Sequence, residues 1–125
     1  MLHFIQYIIA YDLWFYAVHR VLHIPWLYKQ FHYQHHIYKH PEWNDTFSAH
    51  WVENTLSGLG IFLPLAWGCS FRAFVLAWIV CLGRGIARHD ARWAWLVGTH
   101  HLRHHISPNK NFSSFYIDCL FNTAR

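Results

Sequence analysis

Two short segments of this 125-residue chain carry the same spacing of histidines, and they stand on either side of its longest apolar tract. The first segment reads HYQHH and places His32, His35 and His36 at positions i, i+3 and i+4. The second reads HLRHH and repeats that pattern at His101, His104 and His105. On a helix these offsets share one face, so each segment directs several imidazoles to the same side. A fold that uses both segments must bring two distant parts of the chain together.

Chance does not account for this repetition, although the chain contains 13 histidines. At that frequency an HxxHH pattern arises at roughly one starting position in a thousand, so two matches are not expected from composition. A third cluster, HRVLH, adds His19 and His23 at positions i and i+4. Imidazole nitrogen is a ligand that suits iron, zinc, copper and nickel. The spacing therefore predicts a metal site built from helical histidines.

The composition favours a membrane or a very buried setting for this site. Hydrophobic residues make up 54% of the chain and charged residues only 13%, about half the usual share of a soluble domain. The net charge of +4 comes from scattered lysines and arginines without a basic run, which argues against nucleic-acid binding and fits a cytoplasmic membrane face. The three cysteines, Cys69, Cys81 and Cys119, lack metal-type spacing, so we expect reduced thiols rather than disulfides or a thiolate zinc site.

The apolar segments predict an all-α protein. Residues 2–18 are long enough for a helix that nearly spans a bilayer. Residues 55–83 are too long for one untilted span, and Pro64 and Gly68 interrupt them, so two shorter helices hinged near Trp67–Ser70 are expected. Such a hairpin, dipping into the bilayer, puts both histidine segments on one side. The segment FSSFYIDCLF is predicted to lie on the membrane surface as a short amphipathic helix. The predicted architecture is an integral membrane helical bundle with a histidine-lined cap on the cytoplasmic side.

Single histidines outside the clusters are harder to assign. By spacing alone, His50 and His89 are as consistent with a surface or supporting role as with a metal ligand. His3, His40 and His100 are expected not to bind metal, since they lie far along the first helix, before a proline, and off the shared face. Asp12 is costly in an apolar helix unless it is paired. It could accept a ring N–H from a ligand histidine, or pair with Arg20 or another arginine.

The clusters and their surroundings resemble one family of membrane oxygenases. The segments that carry the resemblance are DLWFYAVHRVLH, LYKQFHYQHH, THHLRHH, NKNF and FYIDCLFNT, in that order. They are similar to the fatty acid hydroxylase/sterol desaturase superfamily, whose members have HxxxH, HxxHH and HxxHH boxes. The segment IDCLFNT departs from the pattern, because relatives tend to carry tryptophan–aspartate and a glycine there. Relatives are usually also longer, so a single domain over residues 1–125, in a truncated or minimal form, is expected.

The resemblance also implies a set of metal ligands. FSAHWVEN is similar to the family segment in which a histidine stands three residues before a glutamate, and ARHDARW resembles the segment that precedes the last box. The resemblance therefore raises His50 and His89 to ligand candidates. The implied ligands for two iron ions are His19, His23, His32, His35, His36, His50, His89, His101, His104 and His105. Asp12, Glu53 and Asp118 are candidates for supporting these rings, and zinc is a possible substitute metal.

Two functions are compatible with these observations. The first is a non-haem di-iron oxygenase that hydroxylates or desaturates a lipid or sterol C–H bond with O₂, using electrons from a separate donor protein that docks near the basic residues 84–103. The second is a metal-binding membrane protein without catalysis, either a degenerate homologue or a scaffold stabilised by zinc. The expected location is the endoplasmic reticulum membrane of a eukaryote or the inner membrane of a bacterium.

Overall fold

The computed structural model describes all 125 residues, and it confirms the all-α prediction because it contains no strand. Its α-helices are α1 (Leu2–Leu22), α2 (Pro25–Leu27), α3 (Trp51–Leu59), α4 (Phe71–Arg88), α5 (Ala94–Val97), α6 (His100–Ile106) and α7 (Phe115–Leu120). The chain also forms a π-helical turn at Tyr28–His32 and 3₁₀ helices at His35–Ile37, Trp43–Phe47, Gly60–Trp67 and Ala91–Trp93.

Helix α1 is longer than residues 2–18 because nothing in its sequence interrupts it before Pro25. It contains neither glycine nor proline, and it continues through His19 to Leu22. Its C-cap is His23, and Pro25 then occupies the first position of α2, where a missing N–H costs nothing. The extension carries His19 on the last turn of the helix and places His23 at its C-cap.

The apolar tract runs out and back along α1, as the sequence predicted. The first arm, formed by α3 and the 3₁₀ helix 60–67, is antiparallel to α1, since the Trp14 indole donates to Leu56 O at 2.7 Å. At the far end the Tyr7 hydroxyl donates to Cys69 O at 3.3 Å. Helix α4 then returns parallel to α1. Both histidine-rich parts of the chain therefore meet at one end of the bundle, opposite the turn at residues 68–70.

That turn depends on one glycine. Gly68 has φ +73°, the left-handed conformation that glycine adopts without steric cost. Its N–H donates to Leu65 O at 3.0 Å, and the next N–H, of Cys69, donates to Pro64 O at 3.1 Å. These two bonds close the end of the 3₁₀ helix. Helix α4 begins three residues later, at Phe71, in agreement with the hinge predicted near residues 67–70.

None of the helices combines the length and the apolar character needed to cross a membrane.

The interior of the protein is unusually polar. A small apolar core joins α1 to α4 around Tyr7, Ile61 and Cys81. A second packs Tyr16 against Phe112 and Ile117 beside α7. Most of the 28 buried residues, however, are polar or charged, and they lie at the histidine-bearing end. Buried polar side chains need partners, so this end of the fold must be held by hydrogen bonds or by a ligand.

Candidate metal centre

Five histidine side chains converge on one point at the end of the bundle. This five-histidine group consists of His19, His23, His32, His36 and His104. The Nε2 atom of His32 lies 3.0 Å from those of His19, His23 and His36. The Nε2 atom of His104 lies 3.1 Å from those of His23 and His36. All five donor atoms are within 4.8 Å of one another.

Four further histidines form a second group beside the first. This four-histidine group consists of His35, His89, His101 and His105. The Nε2 atom of His89 lies 3.1 Å from the Nε2 atoms of both His35 and His101. The Nε2 atom of His105 is buried and has no hydrogen-bond partner within the protein. Nine of the ten histidines predicted from sequence therefore fall into two adjacent groups.

Each HxxHH box divides its histidines between the two groups. The i and i+4 members of the first box, His32 and His36, belong to the five-histidine group, whereas His35 belongs to the other. In the second box the assignment is reversed, because His101 and His105 belong to the four-histidine group and His104 to the five-histidine group. Each box therefore contributes to both groups rather than to one. The first box does not lie on a regular α-helix, since the π-helical turn ends at His32 and a 3₁₀ helix begins at His35.

The distances between the donor atoms fit a shared metal ion in each group. Two imidazole nitrogens that each lie about 2.1 Å from an ion, at right angles to one another, are about 3.0 Å apart. The nearest-neighbour distances of 3.0–3.1 Å match this value. Nitrogen atoms this close need shared protons or a shared cation between them. Because the donors are all imidazole, the set suits iron, zinc, copper or nickel rather than calcium or magnesium.

Backbone carbonyls behind the rings determine which nitrogen faces inward. The Nδ1 atom of His104 bonds to Lys110 O at 2.6 Å, and that of His19 bonds to Phe112 O. In the other group, His89 Nδ1 bonds to Gly85 O at 2.7 Å and His105 Nδ1 to Tyr38 O at 3.2 Å. A carbonyl can only accept, so these Nδ1 atoms carry the proton. Each Nε2 atom is then left with a lone pair for a metal.

Asp118 organises the loop that supplies two of these carbonyls. Its carboxylate is fully buried and accepts hydrogen bonds from the N–H groups of Phe112 and Ser113, both at 2.8 Å, and from the Thr123 hydroxyl at 2.7 Å. The loop 110–114 is thereby folded so that its carbonyls point toward α1 and α6. Asp118 reaches the five-histidine group through this backbone rather than by touching a ring.

Glu53 contacts a histidine of the five-histidine group directly. Its Oε1 atom lies 2.8 Å from His32 Nδ1, although the two are not aligned as a regular hydrogen bond. Burial raises the pKa of Glu53 to about 9. The contact therefore resembles a proton shared between carboxyl and ring rather than a full ion pair. Glu53 thus lies on the Nδ1 side of His32, opposite the Nε2 atom that faces the other histidines of the group.

The environment keeps the imidazoles neutral. Burial lowers the pKa of His32 to about 2, with further lowering from neighbouring histidines, and burial lowers that of His105 to about 4. Burial also lowers the pKa of His89 to about 3. A ring that stays unprotonated keeps the lone pair that a metal ligand requires. The arrangement is therefore ready to bind a cation at neutral pH.

Asp12 pairs with an arginine, one of the two roles considered from the sequence. Its Oδ1 atom accepts from Arg84 at 2.5 Å and its Oδ2 atom from the Tyr116 hydroxyl. The Ser113 hydroxyl donates to Asp12 O at 3.0 Å, which connects this pair to the loop 110–114. Asp12 touches no histidine of either group. Its arginine partner lies far away in the sequence, so no local pattern could have identified Arg84.

The remaining histidines lie outside both groups. His50 is the N-cap of α3, and its Nδ1 atom accepts from the Val52 N–H at 3.2 Å, so the structure does not bring this predicted ligand to either group. His3 Nδ1 accepts from the Ser70 N–H at 2.9 Å, and His40 is exposed. His100 bonds to Ser113 O at 2.7 Å, beside the site but not in it.

A cavity of about 460 Å³ opens between α1, α3 and α4 against both histidine groups. His19, His35 and His89 form part of its wall. The remaining wall is largely apolar or aromatic and includes Phe15 and Trp78. Arg88, at the end of α4, also lies on the wall, although the sequence analysis did not single it out. The cavity therefore reaches both histidine groups.

Comparisons with known proteins agree with this description. A family model described as "Fatty acid hydroxylase" matches residues 4–123. The C-4 methylsterol oxidase of Schizosaccharomyces pombe is 32% identical over 122 residues, covering 84% of this chain and 40% of that protein. Methylsterol monooxygenase 1 of Gallus gallus is 33% identical over 70 residues, covering 56% of this chain and 24% of its own length. The chain thus spans between a quarter and two-fifths of the length of these relatives. No solved structure matches the chain.

Proposed function

Because the chain belongs to the fatty acid hydroxylase family, we propose that it is a membrane-associated, metal-dependent oxygenase acting on a lipid or sterol. The observation that carries this proposal is the pair of adjacent histidine groups beside an apolar cavity. The names of the two relatives support a sterol or a similar lipid as substrate and oxidation as the reaction.

Nine histidines would hold two iron ions, five on one and four on the other. When bound, such ions supply the binding and reduction of O₂ and the oxidation of an unactivated C–H bond. The protein's own contribution is positional. The carbonyls of Lys110, Phe112, Gly85 and Tyr38 hold four of the nine rings with Nε2 inward, and Glu53 lies against a fifth, His32.

The cavity would align the substrate. Its apolar wall desolvates a hydrocarbon chain or ring system, and its polar end is bounded by His19, His35 and His89. An alkyl carbon at that end lies next to both metal groups. Excluding water from the same space protects the oxidising chemistry from side reactions.

The distribution of apolar side chains supports membrane association. Large apolar residues are exposed along α1 and α4, among them Ile5, Ile9, Leu76 and Ile79, whereas the buried residues are mainly polar. This is the reverse of a water-soluble domain, and exposed apolar patches of this extent mark a contact with lipid or protein. We place the chain, as one domain, in the endoplasmic reticulum or bacterial inner membrane with the histidine groups toward the cytoplasm.

A separate electron donor completes the proposal. Insertion of one oxygen atom into a C–H bond consumes O₂, two electrons and two protons and releases water, so a reductase with a haem or iron–sulfur carrier must supply the electrons. Desaturation uses the same inputs but releases two waters.

The test is incorporation of heavy-isotope oxygen into lipid by membranes that contain the protein and a compatible electron donor. Wild type should yield hydroxylated lipid carrying the label, or an unsaturated lipid without it, and His104→Ala should yield neither. His40→Ala, which alters an exposed histidine outside both groups, should behave as wild type. Metal binding without lipid oxidation would contradict the proposal and favour the zinc-stabilised scaffold.

A further inference from the structure

Arg88 is a buried cation without an anionic partner. Only 7% of its surface is exposed. The close contacts between acidic and basic side chains are His32–Glu53, Arg84–Asp12 and Arg92–Asp90, and none of them includes Arg88. Its one hydrogen bond within the protein is a long one, 3.4 Å, from Nε to Arg84 O. A buried guanidinium normally has a carboxylate or several strong acceptors, because an uncompensated charge in the interior is costly.

The guanidinium faces the cavity beside the histidine groups. Its Cζ atom lies 5.3 Å from the centroid of the Phe15 ring, and Phe15 and Arg88 both line that cavity. Its neighbour along the chain is His89, a member of the four-histidine group. Asp12, the carboxylate on the neighbouring helix α1, already accepts hydrogen bonds from Arg84 and Tyr116. The terminal N–H groups of Arg88 are therefore free to donate to a molecule in the cavity.

Other groups on the wall do not replace that missing acceptor. Glu53 Oε1 lies 2.8 Å from His32 Nδ1 rather than against Arg88. Asn54 donates to backbone carbonyls of Phe47 and Ala49. The Thr46 hydroxyl donates to Trp43 O. The Asn54 and Thr46 side chains are thus occupied locally, and Glu53 Oε2, although buried and unpartnered, makes no ion pair with Arg88. Arg88 is the one arginine or lysine on the cavity wall.

We propose that Arg88 binds the oxygen-bearing end of the substrate lipid, with a carboxylate as its preferred group. This rests on the proposed function, since it takes the cavity to be the substrate cavity. A planar guanidinium donates two parallel hydrogen bonds to a carboxylate, and a hydroxyl can accept only part of that set. The Phe15 ring that the guanidinium contacts lies 5.2 Å from the His19 ring, centroid to centroid, so the oxygen-bearing end lies near the metal groups. Oxidation then occurs within a few carbons of that end rather than at the far terminus of the chain.

The test is equilibrium binding of three ligands of equal chain length to the purified protein in a non-ionic detergent: hexadecane, hexadecanol and palmitate. Wild type should bind palmitate most tightly and hexadecane least. Arg88→Gln should weaken palmitate binding about ten- to a hundredfold, the range expected for hydrogen bonds to a charged group, and leave hexadecane binding within about twofold. Arg88→Lys, which keeps the charge but not the planar fork, should fall between them.

Two results would overturn the proposal. One is wild-type protein that binds hexadecanol as tightly as palmitate, a comparison that needs no variant to fold. The other is an equal loss of affinity for all three ligands in Arg88→Gln, which would indicate a structural role. Metal content is measured on the same samples. If the histidines bind no metal, the proposed function fails, while the order of the three ligands still decides the role of Arg88.

Discussion

Replacing Asp118 should weaken the binding of one of the two metal ions and leave the binding of the other unchanged. The Asp118 carboxylate is fully buried and holds the N–H groups of Phe112 and Ser113, and thereby the carbonyls that bond to His19 and His104. The four-histidine group takes its carbonyl support from Gly85 and Tyr38, outside this loop. Loss of Asp118 should therefore act on the five-histidine group alone.

The size of the effect follows from the hydrogen bonds that are lost. Asp118→Ala leaves two buried N–H groups without an acceptor, and each should lower the free energy of unfolding by about 1–3 kcal/mol. That is a large part of the free energy of unfolding of a typical domain, about 5–15 kcal/mol. Asp118→Asn is the better variant, because it keeps one acceptor oxygen and loses one charge-assisted bond, about 1.5–3 kcal/mol. Loss of support behind a ligand typically lowers metal affinity about 10–100-fold.

The assay is a competitive titration of metal-loaded protein with a chelator of known affinity, followed by metal analysis. Wild type should release two ions with similar resistance, and Asp118→Asn should release one of them about 10–100-fold more readily. Thr123→Val is the control, since it removes the hydroxyl bond to Asp118 but leaves both backbone bonds in place. Equally weakened binding of both ions in Asp118→Asn would refute the reasoning. So would an Asp118→Asn protein that is less stable but binds both ions with full affinity.

Two further predictions concern folding. A Cβ atom at Gly60 would lie 2.5 Å from the Trp14 side chain, whereas one at Gly58 would meet nothing within 4 Å. Gly60→Ala should therefore lower the free energy of unfolding by about 1–3 kcal/mol, and Gly58→Ala should not lower it. Equal effects of the two substitutions in denaturant titrations would contradict this. In chelator-treated protein the lowered pKa values of His32 (about 2) and His105 (about 4) mean that the unfolded chain binds more protons below pH 6.5. Acidification from pH 7 to pH 5 should therefore lower the free energy of unfolding by about 4 kcal/mol for these two rings together. A free energy of unfolding that does not change over that pH range would be inconsistent with buried neutral imidazoles.

The sequence was sufficient to group the histidines but not to divide them. Spacing at i, i+3 and i+4 marked His32, His35 and His36 because any helical conformation keeps these residues near one another. Their division between two points does not depend on helix type, because the second box divides in the same way on the regular helix α6. It depends on how the two boxes face each other in the fold, which the spacing within one box does not show.

His50 and Glu53 illustrate how one turn of helix changes a role. They were considered together because they are three residues apart. As the N-cap of α3, His50 turns its ring back to the Val52 N–H, whereas Glu53 lies within the first turn and reaches His32. The family resemblance raised His50 as a ligand, but the local geometry of a helix start directs its side chain elsewhere.

The supporting carbonyls could not be predicted at all. Lys110 and Phe112 contribute backbone oxygens, so their side chains carry no signal of the role. Asp118 could be singled out as a buried carboxylate within a family motif, but its action through loop 110–114 requires the folded chain. The role of Arg88 could not be predicted from sequence either, because the absence of an anionic partner can be seen only in the folded chain.

The central claim is that each of the two histidine groups binds its own metal ion, and metal content in group-specific variants tests it most directly. Wild type should contain two iron ions per chain after anaerobic loading. Replacing His23 and His36 together should remove one ion, and replacing His89 and His101 together should remove the other, while His40→Ala should keep both. A wild-type content of one ion per chain, or loss of both ions from either double variant, would contradict the account.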